Sequence, residues 1–210
     1  MNLHKLHSDP KSLDHHDDRH LVPALAWEKF KRNPKEREKR EKLWAKDPKT
    51  AYLHAKDVLK GPFPLGESAI AKDGKWSYHY AEDVLKARFM LGEAAIAKDV
   101  HWSYMYAVYV IKGRFELGEP AIAKNLDRSY NYALKAIKGR FELGEPAIAK
   151  DGYCSYDYAR AVIKGPFPLG EPAIAKNAFF SYEYATRILK GRFKQGEQAI
   201  KTGWDWDSYA

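Results

Sequence analysis

The chain has a single cysteine, Cys154, which excludes an internal disulfide and any paired-cysteine metal motif. That usage is compatible with a reducing compartment. No apolar run approaches membrane-spanning length, and the opening MNLHKLHSDPKSLDHH has no apolar signal segment. These absences predict a soluble chain, not secreted by a standard signal and with no membrane partner. No phosphate-cradling glycine loop and no Ser/His/Asp order appears, so no catalytic residue, metal ligand or cofactor is expected. Charge is plentiful: 36 Lys and Arg stand against 28 Asp and Glu, a net +8 spread along the chain. A mild positive balance favours anionic partners without selecting one.

What is present is repetition. Tyr52, Tyr78, Tyr104, Tyr130, Tyr156 and Tyr182 recur every 26 residues, and the pairs Gly66-Glu67, Gly92-Glu93, Gly118-Glu119, Gly144-Glu145, Gly170-Glu171 and Gly196-Glu197 keep the same interval. Residues 47–202 therefore hold six tandem units without insertion or deletion. A period this short predicts stacked units that share a core with their neighbours. It also lowers the expectation of catalysis, since every unit offers the same chemistry.

Residues 99–124, DVHWSYMYAVYVIKGRFELGEPAIAK, show one unit. Asp99 is a good N-cap, and Asp47, Asp73, Asn125, Asp151 and Asn177 fill the same slot. A first helix, A, is expected to run to about Lys112. Gly113 is expected to end it in a left-handed conformation, as are Gly61, Gly139, Gly165 and Gly191. Ala87 breaks that pattern, so its turn is expected to carry strain or a different cap. A shorter helix B is expected within Glu116–Lys124, because Pro120, Pro146 and Pro172 are tolerated only in a first turn.

A step of about 100° per residue places Ser77, Tyr78, Tyr80, Ala81, Val84 and Leu85 on one buried arc. Lys75, Trp76, His79, Glu82, Asp83 and Lys86 take the opposite arc, where five of six slots vary between repeats. The sixth is constant: Lys60, Lys86, Lys112, Lys138, Lys164 and Lys190 form a ladder of one sign at the end of helix A. It reads either as solvated helix-end charge or as a line that a phosphate backbone could follow. The tyrosine pairs read as core rings with hydroxyls at an edge, and Phe63, Phe89, Phe115, Phe141, Phe167 and Phe193 as seals across each helix stop. The glutamate of each Gly-Glu pair reads as a complement to the helix B dipole.

Two ends flank the repeats. Residues 1–20 hold His4, His7, His15, His16 and His20 among aspartates in no standard zinc spacing, and read as a flexible polar tail. Residues 21–46 read as a divergent capping helix pair, the second helix opening at Asn33-Pro34-Lys35-Glu36. Residues 203–210 form a truncated stub carrying Trp204 and Trp206.

The phrase S-Y-x-Y-A-x-x-V-[LI]-K-G-[RP]-F-x-L-G-E-x-A-I-A-K-[DN], over about residues 45–202, resembles the short tandem helical repeats of uncharacterised phage and giant-virus proteins. The resemblance implies a phage or viral origin, in the infected host cytoplasm or the virion, and carries no chemistry. The fold expectation is all-α: a right-handed α-solenoid of six two-helix repeats with an N-terminal cap. The functional expectation is a non-enzymatic scaffold that binds another protein through its variable outward face, as a virion component or host-interaction factor. Its candidate contacts are Trp76, Trp102, Arg128, Phe179, Phe180, the six ladder lysines, Trp204 and Trp206. The alternative is an RNA- or DNA-binding solenoid, with lysines on phosphates and outward aromatics on bases. A third, an enzyme using the His/Asp tail, has the least support. The sequence does not fix the oligomeric state.

Overall fold

A computed structural model describes residues 32–203. The polar tail, most of the expected first cap helix, and Trp204 and Trp206 lie outside the described residues. Among those residues every regular element is helical and no strand occurs. The cap helix α1 (Pro34–Trp44) begins where the sequence places it: Pro34 is its first residue, and the Asn33 side chain accepts from the Glu36 N–H at 3.3 Å.

Each repeat then supplies a first helix and a second. The A helices are α2 (Pro48–Leu53), α4 (Gly74–His79), α6 (Val100–Met105), α8 (Leu126–Tyr132), α10 (Gly152–Tyr158) and α12 (Ala178–Glu183). The B helices are α3 (Pro64–Ile70), α5 (Glu93–Ile96), α7 (Glu119–Ile122), α9 (Glu145–Ile148), α11 (Glu171–Ile174) and α13 (Glu197–Gly203). All six A helices are capped by the expected Asp or Asn, whose side chain accepts the N–H three residues on at 2.8–3.0 Å. This satisfies one of the orphan donors of a helix start.

The second half of every A helix is wound more widely than the sequence suggests. In the third repeat, Tyr106–Ile111 is a π-helix, as are Tyr80–Leu85 before it and Ala133–Ile137 after it. The wide turn ends at the ladder lysine, not at the glycine. Lys60, Lys86, Lys112, Lys138, Lys164 and Lys190 all have left-handed backbones, with φ between 50° and 57°, and no glycine has positive φ. The Ala107 carbonyl accepts from both the Lys112 and the Gly113 N–H, a helix stop one residue wider than that of an α-helix. This corrects the expectation at Ala87. Its N–H bonds the Ala81 carbonyl just as the glycines bond theirs, and it carries no left-handed strain. A Cβ at Gly61 would meet nothing closer than 3.9 Å, so the slot admits alanine.

Glycine is required elsewhere. Helix B crosses helix A so closely that a Cβ on Gly118 would lie 2.5 Å from the Phe115 ring and 2.8 Å from Ser103 Cβ. A side chain there would force ring and helix apart. Across repeats, Ser103 Oγ donates to the Ile96 carbonyl at 3.0 Å, tying an A helix to the end of the preceding B helix. Ile70, Ile96, Ile122, Ile148, Ile174 and Ile200 are fully buried, and Trp44 fills the equivalent place in the cap. Each A helix packs on its own B helix and on the A helices of adjacent repeats, so the core runs continuously along the chain.

Candidate functional site

The most conspicuous polar cluster of each repeat is structural. Tyr106 is buried, and its ring meets Phe115 of its own repeat edge-on at 5.1 Å. Its hydroxyl reaches back to the preceding repeat, accepting from the Phe89 N–H at 2.8 Å and donating to Glu93 Oε1 at 3.0 Å. Arg88 clasps the same carboxylate through Nε at 2.8 Å and a terminal nitrogen at 2.9 Å. Tyr80, Tyr132, Tyr158 and Tyr184 make the same two bonds to their preceding repeats. Burial and the adjacent carboxylate push the Tyr106 hydroxyl pKa well above its ordinary value. These hydroxyls are therefore not at an edge, and Glu67, Glu93, Glu119, Glu145 and Glu171 do more than complement a dipole: each joins two repeats. Arg114, Arg140 and Arg192 are spent in the same way on Glu119, Glu145 and Glu197.

The outward aromatics are also used internally. Trp76 packs on Tyr52 with ring centroids 5.4 Å apart, Trp102 on Tyr78 at 5.5 Å, and Phe180 stacks on Tyr156 at 6.0 Å. Arg128 fills the same slot, its guanidinium 4.7 Å from the Tyr104 ring. These four are half-buried staples between successive repeats, which corrects their placement on a free face. The His79 slot turns inward as well. His79 lies among Tyr52, Trp76, Tyr78 and Trp102, and its counterpart Asp157 is buried, accepting from the Tyr130 hydroxyl and Arg160. Phe179 is 42% exposed and remains on the surface. Tyr109, Leu134 and Tyr153 do stand outward, in the slots of Asp83, Glu82 and Lys75 that the helical wheel places on the outer arc.

A second surface lies along the connections from helix A to helix B. All six ladder lysines are exposed there, and none forms an ion pair among the described residues. Five residues further on in each of the first five repeats stands an exposed leucine: Leu65, Leu91, Leu117, Leu143 and Leu169 are 51–64% exposed. The sixth repeat has Gln195 instead, and Met90 adds to the apolar row. Shallow grooves cross this edge between A helices. One of about 280 Å³ is bordered by Lys138 and Lys164, and another of about 180 Å³ by Lys86 and Lys112. In the sequence the leucines stand only as the residue before the first five Gly-Glu pairs. Their constancy at an exposed slot is the signal that sequence reasoning passed over.

Two titratable groups stand apart. His54 occupies the slot of the bridging tyrosine in the first repeat, wholly buried against Trp44 and Phe63, with Nε2 3.6 Å from Glu41 in α1. Glu41 precedes His54 by 13 residues, as Glu93 precedes Tyr106, so the cap keeps the spacing of the bridge, with the two groups in proximity at 3.6 Å and not at hydrogen-bond length. Burial lowers the His54 pKa to about 4. Burial and neighbouring aspartates push the Cys154 thiol up to about 12, which leaves it protonated at neutral pH and a poor nucleophile. No group of three or more His, Cys, Asp or Glu able to hold a metal occurs among the described residues. No known family model, curated protein or solved structure matches the chain.

Proposed function

We propose that the chain is a non-enzymatic right-handed α-solenoid, a scaffold that binds another protein through the variable, exposed slots of its A helices, as a phage or viral structural or host-interaction factor. The observation that carries this reading is the division of labour within each repeat. Constant residues build the bridges and the core, whereas the slots of Lys75, Glu82 and Asp83 change identity and place Tyr109, Leu134, Tyr153 and Phe179 at the surface. Exposed aromatics at non-repeating positions give a repeat array a partner-specific surface.

The nucleic-acid alternative loses support, because Trp76, Trp102 and Phe180 are stapled to tyrosines and do not stand free to stack on bases. Cross-linking of the full chain in lysate, followed by mass spectrometry, tests the proposal against a Tyr109→Ser/Tyr153→Ser variant. A defined protein cross-linked to the wild type and lost from the variant is expected. Partners equally retained by both would sink the assignment of the face. Small-angle scattering of the same samples is expected to show an elongated particle.

A further inference from the structure

We propose that the edge carrying the A-to-B connections is a docking surface for an anionic lipid bilayer, a second surface that rests on the stacked-repeat reading above. The variable face suits a partner with a sequence of its own. This edge is the opposite: it presents the same two residues in nearly every repeat. In each of the first five repeats an exposed lysine, from Lys60 to Lys164, is followed five residues on by an exposed leucine, from Leu65 to Leu169, and Lys190 continues the row of lysines. A surface constant along its length fits a partner that is uniform along its length. Among such partners are a nucleic-acid backbone, a second copy of the same array, and a membrane.

The chemistry separates them. Leucine offers no ring to stack on a base, so a nucleic acid would use the lysines and leave the apolar row in water. A second copy would satisfy the leucines but bring one lysine row against another at the same edge, with no ion pair to neutralise either. A bilayer with acidic lipids satisfies both rows: leucines enter the headgroup boundary and lysines meet phosphate and carboxylate groups. The five leucines and Met90 are each more than half exposed, one or two to a repeat, so apolar side chains recur along this edge at the spacing of the repeats. Glu116 and Glu142 are exposed near the centre and oppose the field, while Arg88, Arg114 and Arg140 beside them are held by their glutamates.

The lysines themselves add a second observation. A left-handed backbone is routine for glycine and tolerated by asparagine, but costs a lysine roughly 1 kcal/mol or more. The slot could take either cheaper residue, yet it holds lysine in all six repeats. Compensation of the helix dipole accounts for part of this retention. It does not account for the exposed leucines that accompany it. The absence of a spanning helix among the described residues bears on insertion and not on surface contact.

Flotation of the full chain with vesicles tests the proposal, using phosphatidylcholine alone or with about one third phosphatidylserine. Binding is expected to the acidic vesicles and not to the neutral ones. A Leu91→Ser/Leu117→Ser/Leu143→Ser variant changes only exposed side chains and is expected to lose binding by about tenfold or more. Lys86→Asn/Lys112→Asn/Lys138→Asn keeps left-handed stops tolerable and is expected to lose about a hundredfold, while the matching arginine variant retains binding. Failure to float, or binding that ignores the leucines, overturns the proposal. So does a wild-type dimer that the leucine variant dissociates, or preferential capture of a single-stranded oligonucleotide. Scattering keeps the two readings apart: an elongated particle that ignores vesicles defeats the membrane surface alone, whereas a compact one defeats the scaffold beneath it.

Discussion

At the scale of the residue, the same amino acid does different work in neighbouring slots. Tyr104 and Tyr106 are two residues apart on one helix, and both are buried. Tyr104 packs beneath Arg128, a contact made by its ring face. Tyr106 spends its hydroxyl on the Phe89 N–H and Glu93, two groups that have little access to water. Tyr106→Phe is therefore expected to destabilise the protein by about 2 kcal/mol, because the buried N–H is left without its acceptor. Tyr104→Phe is expected to cost well under 1 kcal/mol, and chemical denaturation of the two variants compares them. Equal losses would show that the bridge contributes nothing beyond ring burial. The slots of both tyrosines were legible in the sequence as core. Their difference was not, because a hydroxyl's partner belongs to another repeat.

At the scale of the element, the junction between the cap and the first repeat has its own chemistry. Where other repeats use tyrosine and glutamate, this junction uses His54 and Glu41, with Trp44 in place of the buried isoleucine. The imidazole ionises in the folded state only near pH 4, against about 6.5 when unfolded, because burial disfavours its charge. The sign follows from proton binding: the unfolded chain takes up the proton first. The stability tied to neutral His54 is present above about pH 6.5 and is lost as pH falls toward 4. Melting of the wild type is thus expected to weaken across that window. His54→Tyr, which restores the repeat's own residue opposite Glu41, is expected to remove that component. A pH profile unchanged by the substitution would assign the acid sensitivity to other groups.

At the scale of the whole molecule, the bridges make each repeat dependent on its neighbours and indifferent to distant ones. Every interior junction uses the same tyrosine-to-glutamate and serine-to-carbonyl bonds. Deletion of residues 99–124 therefore brings Ile96 and Glu93 against Ser129 and Tyr132, an equivalent junction. Such a chain is expected to fold with undiminished helix content per residue and a lower melting temperature, as one nearest-neighbour interface is lost. Deletion of 99–111 alone sets a B helix where an A helix belongs and is expected to abolish cooperative melting. Circular dichroism of both deletion variants decides between this nearest-neighbour account and one in which the whole chain folds around a single core.

The 26-residue period, the Asp and Asn caps, the proline-limited B helices and the burial of the recurring Tyr, Ala and Phe were determined by the sequence, because each depends on local backbone chemistry or on a pattern repeated six times; Val84 and Leu85, placed on the same arc, are only partly buried. Only the tertiary structure decided which residue turns left-handed, where Trp76 and Trp102 point, what Glu93 holds and which leucines stay in water. A helical wheel assumes one constant step, and the switch to a π-turn at Tyr106 changes that step within the helix. It also treats a helix as alone. Contacts between repeats depend on how far one unit is displaced from the next, and that displacement is set by the packing of glycine against ring and of tyrosine against the preceding repeat.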